Sequence, residues 1–219
     1  RGGLVLNFNG RSLLLYAVTD SGALHGRTLA DAVRDAVRGG VTMVQLREKG
    51  IDFDNYVAKA KEIKKITDEF HIPFVINDNV EVAIASGADG VHVGQSDMAA
   101  SDVRAMLKKG QILGVTARNT EQALAAEKMG ADYIGSGAVF STSTKSDAKN
   151  LPHSVLKEIC QTVSIPVVAI GGITEDNILE LKGCGINGVA VVSAIFGRHN
   201  ISEAASILRG LSEEISEIS

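Results

Sequence analysis

Short apolar runs alternate along the chain with longer stretches in which apolar residues recur at helical spacing. Nearly continuous apolar runs of this kind are typical of strands that are buried on both faces of a parallel sheet. Eight runs are expected to be strands: residues 13–19, 43–46, 73–76, 90–93, 112–116, 133–139, 167–170 and 188–193. Eight stretches are expected to be helices: residues 28–38, 55–69, 80–86, 101–109, 120–129, 154–162, 176–182 and 202–215.

Residues at the element boundaries support this alternation. Thr28, Ser101, Thr120 and Ser202 stand at helix starts, where a hydroxyl can accept from a backbone N–H group that has no partner within the helix. Glycine is found where a helix gives way to the next strand, because it ends helices in the left-handed conformation. These joints lie at residues 39–41, 87–90, 130–132 and 183–188, and two of them begin Gly-Ala-Asp.

Eight strands alternating with eight helices predict an α/β fold, a parallel (β/α)8 (TIM) barrel, formed by a single domain over residues 1–219. A doubly wound open sheet is the alternative. The count of eight and the repeated Gly-Ala-Asp joint favour the barrel.

The composition narrows the classes of function. Hydrophobic residues make up 45% of the 219 and charged residues 22%, which is ordinary for a globular protein. A net charge of −4 gives no electrostatic reason to expect nucleic acid or an anionic membrane as a partner. No apolar run has membrane-spanning length and no signal peptide is evident, so we expect a cytoplasmic protein. Cys160 and Cys184 form neither a disulfide framework nor a metal-binding spacing.

The stretch from Gln45 to Lys49 is the first candidate for chemistry. Active sites in (β/α)8 barrels lie at the C-terminal ends of the strands, and this stretch ends the second one. Side chains alternate along a strand, so Gln45, Arg47 and Lys49 point one way while Leu46 and Glu48 point the other. Three long donors predict a site for a multiply charged anion such as a diphosphate. The alternative is a solvated strand end with incidental salt bridges.

Asp78 and Asp97 follow the third and fourth strands. Two carboxylates beside a diphosphate suit Mg²⁺, which binds through one or two carboxylates, phosphate oxygens and waters. The alternative is that both aspartates are helix N-caps, or ion-pair partners of Arg47 and Lys49. Mn²⁺ would suit the same oxygen ligands.

A second anion site is expected at the last strands. Gly171 and Gly172 follow strand seven and Ser193 ends strand eight, where loops of this fold often bind phosphate through backbone N–H groups. The loop at 141–150 adds hydroxyls and lysines, and we expect it to act as a lid; a plain solvated loop is the alternative. His92 on strand four is interpreted as a packed, hydrogen-bonded residue rather than a catalytic base.

Seven motifs together resemble the thiamin phosphate synthase family over nearly the whole chain. They lie at residues 45–49 (QLREK), 76–78 (IND), 89–97 (DGVHVGQSD), 131–135 (ADYIG), 142–145 (TSTK), 169–173 (AIGGI) and 192–195 (VSAI). The resemblance implies that 4-amino-5-hydroxymethyl-2-methylpyrimidine diphosphate and a thiazole phosphate are joined to thiamin phosphate, with release of diphosphate. It implies a dissociative, Mg²⁺-assisted mechanism, and loss of CO2 when the thiazole is carboxylated.

The resemblance also implies a role for each matching residue. The pyrimidine diphosphate would be held by Gln45, Leu46, Arg47, Glu48, Lys49, Asn77, Thr116 and Lys145, among which Arg47, Lys49, Lys145 and Thr116 would be catalytic. Mg²⁺ would be held by Asp78 and Asp97. The thiazole phosphate would be held by Thr142, Ser143, Thr144, Gly172, Val192 and Ser193.

Three positions depart from the family pattern. Thr116 replaces a common serine, Arg118 a common histidine, and Ser141 a common proline. Arg118 is either a surface residue or an extra phosphate contact. Two rival functions remain, a thiazole tautomerase that would use a histidine near position 118, and a non-catalytic barrel that binds thiazole or thiamin phosphate. The sequence leaves open whether the thiazole is carboxylated and whether the chain forms a homo-oligomer.

Overall fold

Eight parallel strands close into a barrel in the order of the chain, from β1 to β8 and back to β1. The computed structural model describes residues 8–142 and 150–217. The strands are β1 (Leu15–Val18), β2 (Met43–Leu46), β3 (Phe74–Asn77), β4 (Gly90–Val93), β5 (Ile112–Thr116), β6 (Tyr133–Gly137), β7 (Val167–Ile170) and β8 (Gly188–Val191). The predicted (β/α)8 barrel is therefore confirmed, and the open sheet is wrong.

Helices surround the barrel in the intervals between strands. They are α1 (Leu29–Arg38), α2 (Phe53–Glu69), α3 (Val80–Ser86), α4 (Ala100–Met106), α5 (Thr120–Lys128), α6 (His153–Thr162), α7 (Ser193–Phe196) and α8 (Ile201–Ile215). Short 3₁₀ helices occur at Gly10–Leu13, Ser21–Ala23 and Ile178–Leu181. In the part of the chain so described, no helix combines the length and the apolar character needed to cross a membrane.

Several predicted elements are shorter in the structure: strand 13–19 is Leu15–Val18, strand 133–139 ends at Gly137, and helix 101–109 ends at Met106. The helix expected at 176–182 is the 3₁₀ helix Ile178–Leu181, preceded by a turn that the Asn177 side chain ties to the carbonyl of Gly172 (2.9 Å). Strand β8 ends at Val191, before the predicted end at residue 193. The carbonyl of Val192 accepts from the N–H groups of Ile195 and Phe196, which begins the short helix α7 instead.

Helix starts were predicted correctly at one of the four capping positions. Thr28 accepts from the N–H of Asp31 (3.1 Å) at the start of α1. Helices α5 and α8 are capped by Asn119 and Asn200, which precede the predicted caps, and α4 follows Ala99 without a side-chain cap. Asparagine caps helices as well as serine or threonine, so composition alone did not fix these starts to the residue.

Four polar side chains close the N-terminal end of the barrel in a repeating way. The residue that stands before β4 is Asp89, and it accepts from the first N–H of β3 (2.9 Å). Asp132, before β6, accepts from an N–H of β5 (2.7 Å). Thr42, before β2, accepts from the first N–H of β1 (2.9 Å), and Asn187 does the same for β7 (2.9 Å). Each of these four side chains thus gives a hydrogen-bond acceptor to a backbone N–H group at or next to the start of the preceding strand.

Two apolar clusters lie on the two sides of the strands. The larger packs the outer faces of the strands against the helices. The smaller fills the barrel interior toward the N-terminal ends of the strands and includes Leu13, Met43, Val75, Ile112 and Val168. Ion pairs support the larger cluster from outside, with Lys64 near Asp89 (3.3 Å) and Arg104 near Asp132 (3.1 Å). Toward the C-terminal ends of the strands, polar side chains point into the barrel interior instead.

Glycines in β5 and β6 make room for two of these polar side chains. A Cβ on Gly114 would lie 2.1 Å from Cζ of Tyr133 and 2.5 Å from Nδ1 of His92. A Cβ on Gly135 would lie 3.0 Å from Cε1 of His92. The tyrosine and the histidine therefore fit inside the barrel because these positions carry no side chain.

We predict opposite stability changes for two Gly→Ala substitutions. Gly114→Ala should lower the free energy of unfolding by about 1–3 kcal/mol, since the added methyl overpacks the interior. The control is Gly210→Ala in α8, where the Cβ meets nothing within 4 Å, and which should raise the free energy by up to about 1 kcal/mol. Urea unfolding measures both. A Gly114→Ala protein as stable as the parent would contradict the described interior.

Candidate active site

A cavity of about 500 Å³ lies at the C-terminal end of the barrel, and every strand or the loop after it contributes to its wall. This volume suits small-molecule ligands. Of the residues predicted for the site, eleven line this one cavity: Gln45, Arg47, Lys49, Asn77, Asp78, Asp97, Thr116, Thr142, Gly172, Val192 and Ser193. The structure thus brings together residues that are spread over most of the sequence.

The side chains at the end of β2 point alternately toward and away from the cavity, as the strand alternation predicts. Gln45, Arg47 and Lys49 face the cavity. Leu46 is fully buried in the layer between strands and helices. Glu48 points away from the cavity, where it accepts from Nζ of Lys59 (3.0 Å). Leu46 and Glu48 therefore have no cavity-facing side chain, and a contact with substrate would have to come from their backbone.

The two cations at this end keep their charge available to a ligand. Among the described residues, no carboxylate lies within ion-pair distance of Arg47 or Lys49. Arg47 is half-buried and Lys49 exposed. The hydroxyl of Thr19 accepts from the backbone N–H of Arg47 (3.0 Å) and so fixes the start of this segment. Two cations that have no carboxylate within ion-pair distance favour the binding of an anion at this end of the cavity.

Asp78 and Asp97 are not helix caps, since Asn79 and Ala99 stand at the cap positions of α3 and α4. Asp78 takes a left-handed backbone conformation (φ 62°), and its N–H donates to the carbonyl of His92 (2.8 Å). Oδ2 of Asp97 accepts from the N–H of Gly94 (2.6 Å). Among the described residues, neither aspartate forms an ion pair with Arg47 or Lys49. Their donor chemistry, carboxylate oxygens at a solvent-facing wall, is the kind that Mg²⁺ takes.

The turns after β7 and β8 form the opposite part of the wall. Gly171 and Gly172 both have positive φ (102° and 67°), and a Cβ on Gly172 would meet the carbonyl oxygen of Ser141 at 2.4 Å. The carbonyl of Gly171 accepts from the N–H of Phe140 (3.0 Å), which holds the turn in place. Ser193 begins α7 beside it, at the cavity wall. A turn built of such small residues leaves room for a phosphate to approach the backbone.

His92 is a hydrogen-bonded residue, as predicted. Its Nδ1 lies 2.9 Å from the hydroxyl of Tyr133, and its Nε2 lies 2.9 Å from Oγ1 of Thr116. Tyr133 is in turn 2.8 Å from the hydroxyl of Tyr16, which accepts from Nε2 of Gln45 (2.5 Å). Burial raises the pKa of both tyrosines above the ordinary value, so they stay protonated and neutral.

Sequence reasoning missed Tyr16 and left Arg118 undecided. Tyr16 lies in the middle of β1, two residues before the cavity-lining Val18, and the two-residue period of the strand could have placed both inside. Arg118 is not a surface residue: it lines the cavity and donates to the carbonyl of Gly137 (2.6 Å).

Three predicted site residues, Ser143, Thr144 and Lys145, lie outside the described residues. The same holds for most of the loop at 141–150, so its role as a lid stays a prediction. Thr142, at the near edge of that loop, lines the cavity.

Comparisons with known proteins agree with this geometry. The sequence model of the family described as thiamine monophosphate synthase matches residues 15–195. A thiamine-phosphate synthase of Ruminiclostridium cellulolyticum is 50% identical over 194 residues, which cover 89% of this chain and 92% of that protein. One of Clostridium tetani is 46% identical over 200 residues, which cover 91% and 96%.

A solved structure shows the same likeness in three dimensions. Thiamine phosphate pyrophosphorylase from Pyrococcus furiosus has a TM-score of 0.87 and 37% identity, and the match covers 94% of this chain and 98% of that one. The family match, over residues 15–195, includes the ends of all eight strands, and the relatives match most of this chain. The chain therefore belongs to the thiamine monophosphate synthase family.

Proposed function

We propose that this transferase joins 4-amino-5-hydroxymethyl-2-methylpyrimidine diphosphate to a thiazole ethyl phosphate in its barrel cavity. The carbon–oxygen bond to the diphosphate breaks, and the thiazole nitrogen forms the new carbon–nitrogen bond. The products are thiamin phosphate and diphosphate, with CO2 in addition when the thiazole carries a carboxylate. The family names of the relatives support the activity; the substrates and the residue roles are the proposal.

One observation carries the proposal: a single cavity has two cations at one end and a turn of small residues at the other. Arg47 and Lys49 at the end of β2 suit a doubly or triply charged diphosphate. Gly172 and Ser193, after β7 and β8, suit the smaller phosphate of the second substrate. Val18 on β1 lies between the two ends, so both substrates would share one space.

Charge stabilisation is what such a reaction requires of the protein. The amino group of the pyrimidine ring donates electron density to the exocyclic methylene, so the diphosphate can leave before the thiazole attacks. Arg47 and Lys49 would then balance the negative charge that grows on the leaving diphosphate. The protein would also lower the activation barrier by holding the thiazole in line with the methylene, since orientation removes much of the entropic cost. No nucleophilic side chain is needed.

Asp78 and Asp97 would hold Mg²⁺ at the diphosphate end. When bound, the metal would supply a further positive charge to the diphosphate oxygens. Among the described residues, no group of three or more His, Cys, Asp or Glu side chains could enclose a metal ion by itself. Two carboxylates that leave the remaining positions to phosphate oxygens and waters fit Mg²⁺, which keeps several waters.

The tautomerase hypothesis finds no support at position 118. That residue is Arg118, whose guanidinium donates to the carbonyl of Gly137, and it stands where a tautomerase would use a histidine. A general acid–base role there would need a group with a pKa near the operating pH.

Binding of diphosphate tests the cationic end without any assumption about catalysis. Arg47→Gln should weaken binding of inorganic diphosphate with Mg²⁺ about tenfold or more, because a charged hydrogen-bonding group is lost. Isothermal titration calorimetry measures it. Arg34→Gln is the matched control, since Arg34 lies on α1 and pairs with Glu69 (2.7 Å) outside the cavity. Equal affinities in both variants would contradict the binding of diphosphate at the end of the cavity where Arg47 lies.

Diphosphate release tests the proposed reaction and the metal site together. The purified protein should release diphosphate and form thiamin phosphate only with both substrates and Mg²⁺ present. Asp78→Asn and Asp97→Asn should each raise the Mg²⁺ concentration for half-maximal rate, since each removes one charged ligand. Asp35→Asn on α1, outside the cavity, is the control and should leave that concentration unchanged.

No product above background from the parent protein would refute the synthase hypothesis and favour a binding barrel. An unchanged Mg²⁺ requirement in both active-site variants would refute the metal assignment alone.

A further inference from the structure

A continuous chain of hydrogen-bonding groups crosses the barrel at the floor of the cavity, where Tyr16 and His92 also line it. It begins at Gln45 on β2, passes through the hydroxyls of Tyr16 on β1 and Tyr133 on β6, and reaches His92 on β4. It ends at Oγ1 of Thr116 on β5, 2.9 Å from Nε2 of the histidine. Gln45 and Thr116, its two ends, both line the cavity.

The chain has a direction because its members have few protons. Nε2 of Gln45 donates to the Tyr16 hydroxyl, so the single proton of that phenol is left for Tyr133. The hydroxyl of Tyr133 then accepts from Tyr16 and donates to Nδ1 of His92. Burial raises the pKa of both phenols, so each keeps its proton.

This direction determines the remaining donors. An imidazole whose Nδ1 accepts a hydrogen bond carries its own proton on Nε2 when it is neutral. Nε2–H of His92 then donates to Oγ1 of Thr116, whose hydroxyl proton is left to donate to a ligand in the cavity. At the other end, Gln45 uses its amide nitrogen on Tyr16 and presents its oxygen as an acceptor.

We infer that Tyr16, Tyr133 and His92 are positioning residues, whose hydrogen-bonded chain holds Gln45 as an acceptor and Thr116 as a donor toward the pyrimidine substrate. The inference rests on the proposed function for the identity of the ligand. An aminopyrimidine has the complementary pattern, an amino group that donates and ring nitrogens that accept. A ring that met the wrong polarity would leave a buried polar group without a partner, which costs affinity.

The barrel interior is shaped to hold this chain. Gly114 and Gly135 are the positions whose missing side chains leave room for His92 and Tyr133, with added Cβ atoms at 2.1–3.0 Å from those rings. All the buried side-chain polar atoms of the described residues have a hydrogen-bond partner. A network that is fully satisfied in a low-dielectric interior is rigid, so its ends are held in one orientation.

The tautomer of His92 is the first test, and it needs no substrate. Two-bond ¹H–¹⁵N correlation spectra of protein labelled with ¹⁵N-histidine at neutral pH report which ring nitrogen carries the proton. The His92 signals are assigned by their loss in His92→Gln. We expect the neutral Nε2–H form in the parent protein. Tyr133→Phe, which removes the donor to Nδ1 and keeps the ring, should shift the population toward Nδ1–H.

Tyr56→Phe is the matched control for this measurement. Tyr56 is also a buried tyrosine, but its hydroxyl donates to the carbonyl of Leu46 (3.0 Å) and it does not line the cavity. Its loss should leave the His92 signals unchanged. An Nδ1–H or doubly protonated His92 in the parent, or identical spectra for Tyr133→Phe and the parent, would overturn the inferred polarity.

Kinetics then separate positioning from a merely structural role. Tyr133→Phe should raise KM for the pyrimidine diphosphate roughly three- to tenfold, the effect of one lost hydrogen bond, and leave KM for the thiazole phosphate unchanged. His92→Gln keeps an amide N–H that can reach Thr116 and should lie nearer the parent than His92→Leu. Equal increases in both KM values, or no difference between the two His92 variants, would overturn the positioning role.

Two different results separate a failure of the proposed function from a failure of the inferred hydrogen-bond polarity. A parent protein that shows the Nε2–H tautomer but makes no product would overturn the proposed function and, with it, the pyrimidine assignment. An active parent with the Nδ1–H tautomer would overturn the chain's polarity and leave the proposed function standing.

Discussion

The structure depends on closure of the barrel, which four side chain-to-backbone hydrogen bonds secure at its N-terminal end. Thr42, Asp89 and Asp132 each stand before an even-numbered strand, as does Asn187, and each binds an N–H of the preceding odd-numbered strand. The residues that line the cavity lie at the other end of the barrel, after the C-terminal ends of the strands. Stability and chemistry are thus separated along the barrel axis, as is usual for this fold.

At the C-terminal end of the barrel, the strand alternation separates the cations of β2 from the carboxylate between them in sequence. Glu48, the carboxylate nearest in sequence to the cations, is turned outward to Lys59 by the strand alternation. Arg47 and Lys49 therefore face the cavity without a carboxylate partner among the described residues. With Mg²⁺ held by Asp78 and Asp97 as we propose, the metal and the diphosphate would contact each other, and we expect their binding to be cooperative.

Features set by local period and position were predictable from the sequence, whereas features set by contacts between distant strands were not. The barrel, and the inward direction of Gln45, Arg47 and Lys49, arise from local alternation. The repeated Gly-Ala-Asp joint was visible, but the bond from its aspartate to the neighbouring strand was not, since it joins residues far apart in sequence. The chain through Tyr16 was hidden for the same reason, because nothing local to a buried tyrosine indicates a partner on β6.

The central claim is that one cavity binds two different anions at two ends. A crystal structure of the protein with thiamin phosphate, Mg²⁺ and inorganic diphosphate tests it most directly. The account predicts diphosphate against Arg47 and Lys49, with the metal between it and Asp78, and the phosphate ester of the product against the backbone of Gly172. Diphosphate at the Gly172 turn, or outside the cavity, would contradict it.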